Sequence, residues 1–328
     1  MKMTDNTEFK NRINLDALQK KTSELKQAVG NVVIGQDEML DQLMIALLTD
    51  GHVLIEGVPG IAKTLTAKLF AKCISADFSR IQFTPDLMPS DITGTSVFNL
   101  KTSEFEFRKG PIFSNIILID EINRSPAKTQ AALLEVMEER RVTVDGTTYK
   151  VDEPFIVIAT QNPIEQEGTY RLPEAQSDRF LFKIKVDYPK PEDEITILKN
   201  SHNRASKKET DEVSALISKS EIADFRKKIK MLYIDENLIK YIVQIIDKTR
   251  NNSDLFLGAS PRASLNIMNA AKANAALNGR DFVIPDDIKQ VAYPVLRHRI
   301  ILSPEKEMEG ITQEKIIKKI INAVEVPR

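Results

Sequence analysis

The sequence predicts an α/β protein, in which a parallel β-sheet lies between two layers of helices and is followed by a helical second domain. Short apolar runs rich in β-branched and aromatic residues lie at 52–56, 81–84, 116–120, 155–160 and 180–186. Helical stretches separate most of these runs, and strands that are apolar on both faces are typical of parallel sheets covered by helices. After residue 190 the strand pattern ends and helical periodicity dominates.

Local signals place the ends of the two domains. Residues 1–13 are predicted to be a disordered tail, and residues 14–189 the α/β domain, which begins with a helix behind Asn14 and a second helix at 37–49. Pro189 and Pro191 restrict the backbone just before an acidic helix start, so the boundary is placed at residue 190. Residues 190–328 are predicted to be all-α, with helices at 192–200, 219–229, 236–249, 260–277, 285–298 and 312–324 and a charged loop at 203–214.

Two stretches interrupt the alternation of strands and helices. Residues 95–110 alternate apolar and polar positions on both sides of Lys101-Thr102, and residues 141–151 do so around Asp145-Gly146. An Asp-Gly pair between alternating arms is a strong signal for a two-residue hairpin turn. Both stretches are therefore predicted to be β-hairpins inserted into the α/β domain.

Composition excludes several classes of function. The 328 residues carry 46 Lys+Arg against 47 Asp+Glu, a balance that lacks the cationic surplus of a dedicated nucleic-acid coat or polybasic membrane binder. The single cysteine, Cys73, is expected to be a small buried hydrophobic residue, and the three dispersed histidines show no metal-ligand spacing. Apolar runs fall far short of the ~20 residues of a membrane helix, so we expect a cytoplasmic protein without membrane insertion.

The segment 52–70 carries the strongest chemical signal, because a strand, a loop rich in Gly and Pro and an amphipathic helix follow one another. In that arrangement backbone N–H groups and a helix N-terminus converge on a concavity that favours a polyphosphate. Lys63 is expected to reach the β- and γ-phosphates, and Thr64 to bind Mg²⁺. Ala62 stands where this pattern usually has Gly, and is expected to keep a right-handed backbone. The predicted nucleotide-binding residues of the loop are Gly57, Val58, Pro59, Gly60, Ile61, Ala62, Lys63, Thr64 and Leu65.

Polar residues end two further apolar strands. Asp120 and Glu121 follow Ile116–Ile119, and Asn162 follows the run at 155–160. Ligands of parallel sheets lie at the carboxyl ends of the strands. Asp120 is therefore expected to hold Mg²⁺ through its water shell, and Glu121 to orient and deprotonate the attacking water. Asn162 is placed to hold that water or the γ-phosphate, although Asn before Pro is also a common turn starter.

Five segments in this order resemble one known family. GVPGIAKT, ILIDEINR, ATQNP, LPEAQSDRF and GASPRA are similar to motifs of the MoxR family of AAA+ ATPases, and the resemblance covers roughly residues 14–300. The segment VVIGQDEML (32–40) resembles the part of the family that packs near adenine, which adds Ile34 and Gly35 to the nucleotide-binding residues. The fold implied is an AAA+ P-loop NTPase: a parallel αβα sandwich with β-hairpin inserts, followed by a small all-α lid domain.

The resemblance also implies roles for arginines and an assembly. Arg179, in SDRF, matches the arginine finger that enters the site of a neighbouring subunit; a salt bridge within LPEAQSDR is the alternative. Arg171 is a nearby candidate for the same role. Arg262 matches the second sensor, which reports the γ-phosphate and couples nucleotide state to the lid angle. The family usually assembles as rings, often hexamers, with ATP and Mg²⁺ at the subunit interfaces.

The function that these features favour is ATP-driven, chaperone-like remodelling, maturation or assembly of client protein complexes. The resemblance implies a separate von Willebrand factor A-domain protein as a partner. A DNA-translocating or helicase-like ring and a magnesium-chelatase-like motor subunit are the alternatives. No nucleic-acid partner is expected, because acidic residues offset the cations around the second hairpin. The residues concerned are Arg140, Arg141 and Lys150 against Glu138, Glu139, Asp145, Asp152 and Glu153.

Overall fold

The fold is described from a computed structural model. Residues 13–163, 170, 172–203 and 213–327 are described. The predicted disordered tail, apart from residue 13, therefore lies outside the described residues, as do Arg171 and most of the predicted loop at 203–214.

The strands include the five that the sequence predicts. They are β1 (Val53–Gly57), β2 (Ile74–Ser75), β3 (Phe78–Gln82), β4 (Gly94–Asn99), β5 (Glu104–Lys109), β6 (Ile116–Asp120), β7 (Arg141–Val144), β8 (Thr147–Lys150), β9 (Ile156–Gln161), β10 (Phe182–Val186), β11 (Ile217–Ser218), β12 (Leu255–Leu257) and β13 (Ile301–Leu302). The central sheet has the order β10-β1-β9-β6-β3, and every neighbouring pair is parallel.

The helices for which the sequence gives a range lie within three residues of it at each end. They are α1 (Asp16–Gly30), α2 (Asp37–Leu48), α3 (Lys63–Lys72), α4 (Pro89–Thr93), α5 (Ala127–Glu139), α6 (Glu174–Ser177), α7 (Pro191–Asn203), α8 (Lys219–Lys230), α9 (Glu236–Arg250), α10 (Pro261–Leu277), α11 (Pro285–Leu296), α12 (Pro304–Met308) and α13 (Gln313–Asn322). Among the described residues, no helix is both long and apolar enough to cross a membrane.

The central sheet is covered on both faces, as its apolar strands predict. All five residues of β6 are buried. Ile116 and Leu118 belong to one hydrophobic core, whereas Ile117 and Ile119 belong to another. Successive strand side chains point to opposite faces, so this alternation assigns one core to each face of the sheet. The result is an αβα sandwich.

The second domain is helical and shares the larger core with the first. Buried residues of α1 and α2 lie in the same cluster as buried residues of α9, α10, α11 and α13. Three short strands accompany the helices: β11 pairs in parallel with β2 of the first domain, and β12 pairs with β13. The second domain is therefore packed directly against the sandwich.

Both predicted hairpins are present. The first pairs β4 with β5, and the second pairs β7 with β8. Asp145 and Gly146 have φ values of 50° and 78°, the left-handed conformation that a tight hairpin turn requires. The ring of Phe107 in the first hairpin stacks on Tyr149 in the second, with centroids 4.3 Å apart, so the two inserts contact each other.

Candidate functional site

The carboxyl ends of four parallel strands surround one cavity of about 560 Å³. Its lining residues are Pro59, Gly60, Ile61, Ala62, Lys63, Thr64, Leu65, Lys68, Arg80, Gln82, Asp120, Glu121, Thr160, Gln161 and Asn162. The cavity thus brings together the predicted phosphate loop, the acid pair and the predicted sensor asparagine. The other predicted nucleotide-binding residues, Ile34, Gly35, Gly57 and Val58, do not line it.

The loop between β1 and α3 contains left-handed backbone at two positions. Gly60 has φ 87°, which glycine adopts without a steric penalty. Ala62 has φ 59° and ψ 17°, so the expectation of a right-handed backbone at this residue is wrong. The chain turns into the helix here, and the methyl group is tolerated at a cost of about 1–2 kcal/mol.

Lys63 and Thr64 begin α3 at the floor of the cavity. The Lys63 ammonium donates hydrogen bonds to the carbonyl oxygens of Gly57 and Val58, so its side chain lies along the loop. Thr64 Oγ1 donates to Asp120 Oδ1 at 2.8 Å. A hydroxyl and a carboxylate oxygen at this separation are the hard ligands that Mg²⁺ prefers, so the residues present fit this cation.

Asp120 is a buried carboxylate that several side chains contact. Arg80 Nε donates to its Oδ2 at 2.7 Å, and Thr160 Oγ1 lies 3.4 Å from its Oδ1. Arg80 and Asp120 lie near each other because β3 and β6 pair in parallel with Gln82 opposite Asp120. A buried polar group is costly unless it is hydrogen-bonded, and here both oxygens of Asp120 are engaged.

Glu121 has left-handed backbone, with φ 57° and ψ 54°, directly after β6. Its N–H donates to Thr160 Oγ1 at 3.0 Å. Its Oε2 accepts from Gln82 Nε2 at 2.9 Å and pairs with Arg124 Nε at 3.1 Å. A non-glycine residue adopts this conformation only where its surroundings hold it there, and strain of this kind is typical of functional sites. The contacts direct the carboxylate along the cavity wall.

A second cavity, of about 250 Å³, contains the two predicted trans-acting and sensor arginines. Arg179 Nη1 donates to Leu134 O at 2.9 Å and lies 3.5 Å from Glu138 Oε2. Arg262 Nη2 donates to the other oxygen of Glu138 at 2.8 Å. The ion pair of Arg179 is therefore with a residue outside LPEAQSDR. A cation at a helix start is stabilised by a nearby anion, and beside Arg262 that anion is the carboxylate of Glu138, with Asp178 3.7 Å away.

The two cavities lie at opposite edges of the sheet. Gly51 and His52, which precede β1, and Leu181, which precedes β10, line the second cavity. The first lies beyond the carboxyl ends of the same sheet, and within the described part of the chain the two share no lining residue. A strand of five residues spans about 16 Å. Arg179 and Arg262 are thus separated from the phosphate loop of their own chain by the height of the sheet.

His52, at the edge of the sheet where its strands begin (the amino edge), and Cys73 are both buried titratable groups. His52 Nδ1 accepts from Val157 N at 2.9 Å, which leaves Nε2 to donate to Met137 O at 3.2 Å. Burial, assisted by the charge of Arg140, lowers the pKa of His52 well below 6.5, so this imidazole is neutral. Cys73 is buried as predicted, and burial raises its pKa to about 12.

Sequence reasoning missed several residues that line the two cavities, and also Arg299, which contacts Asp178 of the second cavity without lining it. Arg80 and Gln82 lie two positions apart on β3, so their side chains share the strand face that contacts Asp120 and Glu121. This spacing is the only feature of the sequence that could have indicated them. Glu138 and Asp178 are ordinary surface acids in the sequence. Arg299 belongs to the run Arg297-His298-Arg299 after α11, and such a cluster of cations is usual at a helix C-terminus.

Comparison with known proteins agrees with this geometry. Residues 52–182 match the family described as "ATPase family associated with various cellular activities (AAA)", and residues 247–320 match the AAA lid domain. The fold and the matched domains define an AAA+ ATPase with a helical lid.

Individual relatives identify the family within the AAA+ ATPases. The chain is 49% identical over 299 residues to protein YeaC of Bacillus subtilis, covering 91% of this chain and 92% of the relative. It is 44% identical over 309 residues to chaperone MoxR1 of Mycobacterium tuberculosis, covering 92% and 81%. A solved structure from Cytophaga hutchinsonii shares 47% identity and a TM-score of 0.87, covering 95% of this chain and 97% of that one. The chain belongs to the MoxR family of AAA+ ATPases.

Proposed function

We propose that this protein hydrolyses ATP at the interfaces between subunits of a ring, expected to be a hexamer, and uses the energy to remodel, mature or assemble client protein complexes. The observation that carries the proposal is the separation of the phosphate loop from Arg179 and Arg262, which lie at the opposite edge of the sheet. An arginine finger on that edge can complete only the site of another subunit.

At the carboxyl edge each residue has a separate task. The loop amides and Lys63 bind the phosphates of ATP. Thr64 and Asp120 would hold Mg²⁺, which would supply positive charge to the phosphates when bound. Glu121 orients the attacking water and accepts its proton, and Asn162 holds the water or the γ-phosphate. Ile34 and Gly35 are assigned to the adenine side by family resemblance alone.

At the amino edge, Arg179 and Arg262 are the two cations that we assign to the ATP of a partner subunit. In the assembled ring Arg179 donates to the negative charge that develops on the transferring phosphoryl group, an effect worth about 10³–10⁵ in rate in related enzymes. Arg262 contacts the same carboxylate as Arg179, that of Glu138, so we assign both arginines to the same neighbouring nucleotide. Its position at the start of α10 connects nucleotide state to the lid.

Mixing two inactive variants tests the shared site. Glu121→Gln removes the base and Arg179→Ala removes the finger, so each variant alone is expected to lose ATPase activity. In a mixed ring, interfaces that join an intact Glu121 to an intact Arg179 are restored, and partial activity should return. Normal hydrolysis by Arg179→Ala alone would refute the shared site. Lys128→Ala, an exposed change on α5, is the control: it should hydrolyse ATP normally by itself and, mixed with either inactive variant, should behave as the wild type does.

The Glu121→Gln variant also tests whether the protein binds a client in an ATP-dependent manner. Glu121→Gln should bind ATP without hydrolysing it and so retain partners that the wild type releases. Purification from native cytoplasm, with Lys63→Ala as a matched variant that cannot bind ATP, should yield a client complex and a von Willebrand factor A-domain protein only with Glu121→Gln. Equal recovery with both variants would contradict an ATP-dependent client.

A further inference from the structure

Arg299 is a buried cation in the turn that follows α11, and its side chain is 1% exposed. Its Nε donates to Asp178 Oδ1 at 2.6 Å. Its terminal nitrogens donate to the backbone oxygens of Asp178, Phe180 and Leu181, and to Val295 O near the end of α11. The hydrogen bonds of this one guanidinium therefore hold the backbone on both sides of Arg179.

The charge of Arg299 is matched by one acid. Burial lowers the pKa of Arg299 to about 10, and the charge of Asp178 opposes that shift, so the guanidinium stays protonated at neutral pH. A guanidinium presents its donors in a rigid planar fork, which lysine cannot reproduce. The contact consequently fixes direction as well as distance.

Asp178 links Arg299 to the rest of the amino edge. Its second oxygen, Oδ2, lies 3.7 Å from Arg262 Nη1 and 3.5 Å from Ser260 Oγ, at the start of α10. Arg262 in turn shares Glu138 with Arg179. Two elements of the second domain, the end of α11 and the start of α10, thus meet on the residue that precedes Arg179.

We propose that Arg299 is a positioning residue for Arg179: through Asp178 and the 178–181 backbone, the lid sets where the finger points. This inference rests on the proposed trans role of Arg179. It makes the lid of one subunit part of the catalytic site of its neighbour, and a change in the position of α11 would move the finger.

The test uses Arg299→Lys, which retains the charge but loses the fork. A displacement of about 1 Å at a catalytic group can cost about 10²-fold in rate, so ATPase activity should fall by about that factor. Binding of a fluorescent ATP analogue should be unchanged, because the analogue occupies the opposite edge of the same subunit. Arg280→Lys is the matched control: Arg280 pairs with buried Asp287 at 2.6 Å within the lid, and this variant should retain near-normal ATPase activity.

Mixed rings separate a positioning role from a general structural one. Mixed with Glu121→Gln, the Arg299 variant should recover activity, because it supplies an intact base while Glu121→Gln supplies an intact finger. Mixed with Arg179→Ala, it should recover none, because both subunits lack a working finger. Asp178→Asn, which preserves side-chain volume, is the second variant. It should also recover activity with Glu121→Gln and recover none with Arg179→Ala.

Two outcomes would overturn the inference. One is recovery with Arg179→Ala, which would mean that a subunit without Arg299 still delivers a working finger. The other is that neither Arg299→Lys nor Asp178→Asn recovers with Glu121→Gln, since the defect would then extend to the subunit's own ATP site. Failure of the proposed function is distinct, because Arg179→Ala alone would then retain its ATPase activity.

Discussion

Arg179 of the sandwich and Arg262 of the lid contact opposite oxygens of one carboxylate, that of Glu138, at 3.5 and 2.8 Å. Like charges repel, so the shared acid stabilises a pair of cations that would otherwise separate. Glu138 is 40% exposed and occupies the position of an anion between them. In the proposed ring, a phosphate group of the neighbouring subunit's ATP would compete with Glu138 for both arginines.

This competition predicts the effect of Glu138→Gln. We expect ATP-dependent assembly at a lower protein concentration, because an exposed ion pair is worth up to about 1 kcal/mol, which corresponds to roughly a fivefold change in an equilibrium constant. Light scattering against protein concentration measures it. Glu139→Gln is the matched control, since Glu139 pairs with Arg141 at 2.9 Å instead. A higher threshold for Glu138→Gln than for the control would show that the acid assists assembly.

The left-handed backbone at Ala62 predicts an unusual response to glycine. Ala62→Gly should leave the free energy of unfolding unchanged or raise it by up to about 1 kcal/mol, because strain relief offsets the greater freedom of the unfolded chain. Ala71→Gly, at a buried right-handed position of the same helix, should lower it by about 1 kcal/mol or more. Urea denaturation compares the two. Equal destabilisation would mean that Ala62 is unstrained.

The neutral His52 predicts acid sensitivity. Burial and Arg140 hold its folded pKa well below 6.5, while the unfolded value is about 6.5. Below pH 6.5 the unfolded state binds the proton and the folded state does not. The stabilisation is therefore complete above pH 6.5 and is lost on acidification, by up to about 1.4 kcal/mol per pH unit. In urea denaturation between pH 7.5 and 5.5, His52→Gln should reduce this slope, and an unchanged slope would contradict the prediction.

The stacking of Phe107 on Tyr149 predicts that the two hairpins stabilise each other. A double-mutant cycle with Phe107→Ala and Tyr149→Ala should give a coupling free energy of about 0.5–1.5 kcal/mol. The cycle of Phe105→Ala with Tyr149→Ala should give a value near zero, because the ring contact of Phe105 is with Phe98. Denaturation of the single and double variants measures both. Zero coupling between Phe107 and Tyr149 would show that the inserts act independently.

Much of the fold could be predicted because its signals are local. The apolar run at 116–120 is β6 residue for residue, and Asp145-Gly146 forms the expected turn. Ser260 and Pro261 begin α10 as their sequence predicts. The phosphate loop and the acid pair were found because each adjoins a strand, and parallel strands bring their carboxyl ends to one edge.

Patterns in a short stretch of sequence cannot predict contacts between segments that are far apart in the chain. The left-handed Ala62 follows from the path of the whole loop, and the sequence predicted the opposite. Arg80, Glu138 and Arg299 are ordinary charged residues until the sheet order and lid packing place them beside Asp120, Arg262 and Asp178.

The sequence alone determined the α/β class, the helical second domain, the phosphate loop and the acid pair, because periodicity and turn chemistry depend on neighbours along the chain. Only the tertiary structure decided that Arg179 and Arg262 lie together at the amino edge of the sheet, away from the phosphate loop of their own chain. That separation depends on the direction of the parallel strands and on the packing of the lid against them, and both come from burial of one apolar core shared by segments far apart in sequence.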